Sequence, residues 1–108
     1  MSKYFKEIEE NMDVDFLAKL DEAREFAGIP FIINSAYRSP EHNAKIGGKP
    51  NSSHLRGLAV DIKATDSRTR FTVLNALISV GFNRIGIADT FIHVDLDCEK
   101  SDRVIWTY

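Results

Sequence analysis

Apolar residues return with a helical period along the first third of the chain. Between Asp13 and Ala27, Phe16, Leu17, Leu20, Ala23 and Ala27 fall on one face, Asp13 stands where a helix takes its cap, and Gly28 stands where one ends. The period then changes. "IPFIINSAY", Ile29 to Tyr37, has the continuous apolar character of a buried strand, and Arg38, Ser39 and Pro40 impose a turn that leaves Arg38 at the strand's end. From Glu41 to Ser53, Gly47, Gly48, Pro50, Asn51 and two serines predict a loop after one helical turn. Such a length without structure is unusual in a short chain and points to a functional loop.

Alternation takes over in "LAVDIKA", which predicts a strand with Ala59 and Asp61 on one face and Val60 and Ile62 on the other. Asp66 or Ser67 then caps a second helix, with Phe71, Leu74, Leu77 and Ile78 as its apolar stripe and Gly81 as its stop. "RIGIA", "FIHVDL" and "RVIWTY" follow as three short strands. On the middle one His93 and Asp95 share a face, opposite Ile92 and Val94. A helix, strands, a helix and a strand meander describe an α+β domain, with helices packed on one side of a small, mostly antiparallel sheet. No repeat, low-complexity stretch or linker interrupts it. With 108 residues, 44% of them apolar, residues 1–108 are expected to form a single domain around one core.

Charge narrows the partners. A formal net charge of -2, with basic residues scattered among acidic ones, gives no pull toward nucleic acid or an anionic membrane surface. The one cysteine, Cys98, cannot form an internal disulfide and reads as a small residue near a strand end. Acidic residues interrupt the N-terminal stretch where a secretory signal needs an apolar run, and no segment approaches the ~20 apolar residues of a membrane span. The chain is therefore expected to be made and folded in the cytoplasm, and to need release or export to meet anything outside the membrane. Its oligomeric state is left open.

Three residues with ligand chemistry lie on or beside these strands: His54 before one, Asp61 within it, and His93 within a later one. Neighbouring strands would bring them to one edge of the sheet. Two imidazoles and a carboxylate, with a fourth position for water, suit a catalytic zinc, whereas a structural zinc takes four protein ligands, often cysteines. Taken singly, a histidine before a strand and an aspartate alternating with apolar residues are ordinary surface positions. "FIHVDL" shifts the balance, because two titratable residues on one face of an apolar strand need a reason to be there.

"SSHLRGLAVDI", Ser52 to Ile62, resembles the S-x-H-x-x-G-x-A-x-D signature of the zinc D-Ala-D-Ala carboxypeptidases and related peptidoglycan endopeptidases. Ser52, His54, Gly57, Ala59 and Asp61 fill every fixed position. "SAYRSPEHNAKIGG" is similar to that family's strand-end segment with its substrate-binding arginine, and "FIHVDL" to its last metal-ligand strand. The resemblance implies a hedgehog/DD-peptidase-like fold in which His54, Asp61 and His93 hold Zn2+ and Arg38 engages the substrate carbonyl or carboxylate. Gly57 would allow a tight turn and Ala59 would keep the space beside the metal clear. Ser52 would bond substrate or cap the turn, and His42 and Asn43 would brace the loop. Many relatives carry an acid three residues before the last histidine, or a histidine two before it; here Thr90 and Phe91 stand there. Asp95 is the expected general base or the carboxylate behind a ligand, with Asp89 as the runner-up. Trp106 is expected to pack in a terminal strand rather than wall a groove.

The function implied is a zinc metallopeptidase acting on the peptidoglycan stem peptide, a D,D-carboxypeptidase or endopeptidase such as a phage or prophage endolysin. The alternative is a non-catalytic, zinc-stabilised module that binds cell wall or a protein, as the related hedgehog signalling domains illustrate.

Overall fold

A computed structural model describes residues 2–108. After a short 3-10 turn, helix α1 spans Val14–Ala27; the Asp13 carboxylate accepts from the Phe16 amide at 2.9 Å, and Gly28 closes the helix at φ 71°. Then follow β1 (Ile33–Ser35), α2 (Pro40–Lys45), a 3-10 turn at Ser53–Arg56, β2 (Ala59–Lys63), α3 (Ser67–Ser79), β3 (Arg84–Ile87), β4 (Phe91–Asp95) and β5 (Val104–Thr107). The segment read as a strand from Ile29 pairs over only three residues. Pro30 has no amide to donate, and the register of β1 on β2 shifts between Ile33 and Ser35.

The five strands lie in the order β1-β2-β4-β3-β5, antiparallel except for β3 and β5, which run parallel. The last three strands are thus not a meander. Both edges of β4 are taken, by β2 and β3, so the chain crosses after Leu96 and adds β5 to the outer edge of β3. This puts Trp106 opposite Gly86, and Gly86 opposite His93, in one row across the sheet.

Helices α1 and α3 pack together over one face of the sheet. That face contributes Val60, Ile62, Ile85, Ile92 and Val94, the helices contribute Phe16, Leu20, Val73, Ala76 and Leu77, and Phe82 closes against Phe16, ring centroids 5.8 Å apart. The stripe on α3 is rotated from its expected place. Phe71 and Ile78 are 70% and 50% exposed, and the buried positions are Val73, Ala76 and Leu77. Phe71 precedes Val73 by two residues, about 200° around the helix, so both cannot face the core. The other sheet face carries Asp61, Arg84, Gly86, His93, Asp95 and Trp106. Among the described residues, no helix is long and apolar enough to cross a membrane.

Leu77→Ala should cost about 2–5 kcal/mol in denaturant unfolding, whereas Phe71→Ala should change stability by no more than about 0.5 kcal/mol. Comparable losses in the two would mean that α3 presents a different face to the sheet.

Candidate metal centre

Strand register supplies two of the three ligand-type residues. In the β2–β4 ladder Asp61 sits directly opposite His93, so both side chains rise from the same face, away from the helix-covered core. His54 arrives from the 3-10 turn before β2. The Ser52 hydroxyl accepts from the His54 amide at 3.3 Å, and the His54 carbonyl accepts from the Arg38 amide at 3.1 Å. Gly57 ends that turn at φ 69°, where a Cβ would press on the backbone of Asn11 and Met12. Its carbonyl accepts from the Asp13 amide at 2.9 Å, which ties the turn to the start of α1.

The three side chains meet around one oxygen. Asp61 Oδ1 lies 2.9 Å from His93 Nδ1 and 3.3 Å from His54 Nε2, and one ligand atom from each residue lies within 4.8 Å of the others. The far side of each ring is also engaged. His54 Nδ1 donates to the Ala36 carbonyl at 2.8 Å, and His93 Nε2 donates to Asp95 Oδ2 at 2.7 Å. Those bonds aim His54 Nε2 and His93 Nδ1 at the Asp61 carboxylate, the side from which each ring nitrogen would offer its lone pair to a metal ion. Two imidazole nitrogens and a carboxylate oxygen, converging and oriented from behind, are a donor set that fits a metal ion.

Charges at the centre balance closely. Burial pushes the Asp61 carboxyl up, but hydrogen bonds from His54 and His93 outweigh it and hold the group at about 2. Burial likewise disfavours a charged His93, yet the flanking Asp61 and Asp95 carboxylates raise its pKa overall. Asp95 is 1% exposed. Its Oδ1 accepts from Arg84 Nε at 2.7 Å and from the Asp97 amide at 3.1 Å, so both of its oxygens are engaged.

Above the cluster lies a cavity of about 490 Å³. Arg38, Ser52, Lys49 and Lys100 line it together with the three ligand-type residues, and Phe91, Trp106 and Tyr108 supply aromatic surface. Arg38 is held by neutral partners, Asn43 Oδ1 at 2.9 Å and Ser35 Oγ at 3.2 Å, which leaves its charge uncompensated toward the cavity. Asn43 also donates to the Lys49 carbonyl at 2.9 Å and so braces the loop, while His42 is exposed and outside the cavity lining. Asp89 is exposed at the β3–β4 turn and does not line the cavity.

Trp106 is a wall of this cavity rather than part of the helix–sheet core. Its indole lies over Gly86, where a Cβ would strike it, with its ring centroid 5.5 Å from that of His93 and the Arg84 guanidinium 5.1 Å from its own. Neither Arg84 nor Gly86 is visible as a site residue in the sequence, because their proximity to His93 and Asp95 follows from strand pairing. Asp97 had a readable signal: in "HVDLD" it continues the alternation of His93 and Asp95.

Asp97 is 1% exposed, and its Oδ2 accepts from Ser53 Oγ at 2.7 Å and from Arg56. Burial raises its pKa, but the Ser53 and Arg56 hydrogen bonds lower it further, from an ordinary 3.8 to about 2. A group with a depressed folded pKa stabilises the fold above its unfolded value, and that contribution is lost as the pH falls through the folded one. Stability should therefore decline between about pH 4 and pH 2. In Asp97→Asn the decline should be shallower, starting from a lower stability at pH 6. Urea titrations across that range check this, and identical acid slopes would contradict it.

No curated protein matches the chain. The family model for Peptidase M15 matches residues 1–95, a span that includes Arg38, His54, Asp61, His93 and Asp95. With most of its length matched and a metal-competent His-Asp-His cluster inside the matched span, the chain belongs to the peptidase M15 family of metallopeptidases.

Proposed function

We propose that the chain is a zinc-dependent peptidase that hydrolyses a peptide bond of bacterial peptidoglycan, in the stem or a cross-link, as a D,D-carboxypeptidase or endopeptidase. The observation that carries this reading is the convergence of His54 Nε2, Asp61 Oδ1 and His93 Nδ1 beneath a cavity. These three residues would hold zinc, which when bound supplies Lewis acidity to a carbonyl oxygen and to water.

The remaining roles belong to the chain's own groups. The Ala36 carbonyl and Asp95 fix the tautomer and orientation of the two histidines. Arg38, anchored by Asn43 and Ser35, offers a planar fork to a substrate carbonyl or carboxylate and stabilises negative charge that develops there. Of the two roles expected for Asp95, orientation of His93 suits its geometry better than proton abstraction, since Oδ2 is bonded to His93 and Oδ1 to Arg84 and Asp97. Asp89 is exposed and does not line the cavity, so it is not placed to serve instead.

One observation favours a second reading, a non-catalytic zinc-stabilised module for wall or protein binding. Among the described residues the carboxylates lining the cavity are Asp61 and Asp95, and each already has a task.

Mass spectrometry of purified peptidoglycans and defined wall fragments, digested with and without a chelator, separates the two. Release of cleaved peptide that stops on chelation, and that His54→Ala abolishes along with zinc binding, is the expected result. Stoichiometric zinc with no cleavage of any wall substrate would favour the module. Asp95→Asn should weaken zinc binding about 10–100-fold while the zinc-saturated variant keeps turnover within about tenfold. Unchanged affinity with turnover down by about 10²–10⁴ would instead make Asp95 the base.

A further inference from the structure

His54 and His93 reach the cluster from separate elements, a short 3-10 turn and a central strand, and a metal site needs their spacing fixed within a fraction of an ångström. The β2–β4 ladder fixes His93 against Asp61 but does not include His54. A 3-10 turn of four residues, Ser53–Arg56, has little rigidity of its own.

Asp97 lies where it can supply that rigidity. Its Oδ2 accepts from Ser53 Oγ at 2.7 Å and from Arg56, two side chains of the turn that carries His54, one on each side of it in sequence. Its amide donates to Asp95 Oδ1 at 3.1 Å, and Asp95 Oδ2 accepts from His93 Nε2. One buried residue thus touches the support of both histidines. Lys100 adds a further strut, with its ammonium 3.1 Å from Ser53 Oγ and 3.5 Å from Asp97. Asp97 also lies just outside residues 1–95, the span that marks the family.

We infer that Asp97 is a positioning residue of the metal centre, clamping the His54 turn to the end of the His93 strand so that the two imidazoles are held at metal-binding separation. The inference rests on the reading that His54, Asp61 and His93 hold zinc. The side-chain clamp accounts for a buried carboxylate that the proposed chemistry does not otherwise use. It also accounts for the direction of the contacts, since every side-chain donor to Oδ2 comes from the His54 turn or braces it.

Zinc affinity by chelator competition, the visible absorption of the cobalt-loaded protein, and unfolding of the metal-free protein should be measured together. The variants are Asp97→Ala, Ser53→Ala and, as a control for stability loss remote from the centre, Leu77→Ala. Asp97→Ala should bind zinc at least about 10-fold more weakly than the unaltered chain, the lower end of what loss of an outer support costs, and should change the cobalt bands. Ser53→Ala, which removes only the bond beside His54, should show a smaller loss in the same direction. Leu77→Ala should lose stability with zinc affinity and cobalt bands unchanged. Asp97→Ala and Ser53→Ala behaving like Leu77→Ala would overturn the inference, as would unchanged affinity in Ser53→Ala alone if Asp97→Ala does not fold. An unaltered chain that binds no zinc would overturn the zinc reading itself, and the clamp's purpose with it.

Discussion

A slip of one residue between β2 and β4 would turn His93 into the helix-packed core and bring Val94 or Ile92 out beside Asp61. The register that pairs Asp61 with His93 is the constraint from which the rest of the centre follows. It is enforced from the other face, where Val60, Ile62, Ile92 and Val94 are fully buried under α1 and α3. A slipped β4 would expose Ile92 and Val94 and turn His93 and Asp95 into the core without partners. The energy that holds Asp61 against His93 is therefore mostly hydrophobic, and it acts from the opposite side of the sheet.

Around that pair the polar groups are arranged so that no buried charge is left alone. Arg84 bonds Asp95, Asp95 bonds His93, His93 and His54 meet at Asp61, and His54 ends on the Ala36 carbonyl. Among the described residues no buried side-chain nitrogen or oxygen lacks a partner. A network satisfied to this degree orients its members strongly, because moving any one of them orphans another in a low-dielectric setting. The same economy limits the chemistry, since an oxygen bound on every side is a poor proton acceptor.

Much of this was legible in the sequence. Alternation placed Asp61 and His93 on the strand faces opposite Val60, Ile62, Ile92 and Val94, the Asp13 cap and Gly28 stop of α1 stand as read, and the helix-over-sheet α+β class follows from the order of elements. What the sequence did not carry was long-range placement. The expected stripe of Phe71, Leu74, Leu77 and Ile78 is as helical as Val73, Ala76 and Leu77, and only the packing of α3 against α1 and β4 keeps Leu77 buried, half-buries Leu74 and turns Phe71 and Ile78 outward. "RVIWTY" reads as a strand, but its parallel pairing with β3 depends on which edges were free, and that pairing lays Trp106 over Gly86 and His93. Asp95 reads equally as a base or as a support, a choice that rests on which ring nitrogen of His93 it meets.

The central claim is that His54, Asp61 and His93 form the metal's protein ligands, and X-ray absorption at the zinc edge of the stoichiometrically loaded protein reads those ligands directly. The account predicts a first shell of nitrogen and oxygen at about 2.0–2.2 Å with the multiple-scattering pattern of two imidazoles and no sulfur. A sulfur at about 2.3 Å from Cys98, or fewer than two imidazoles, would contradict it.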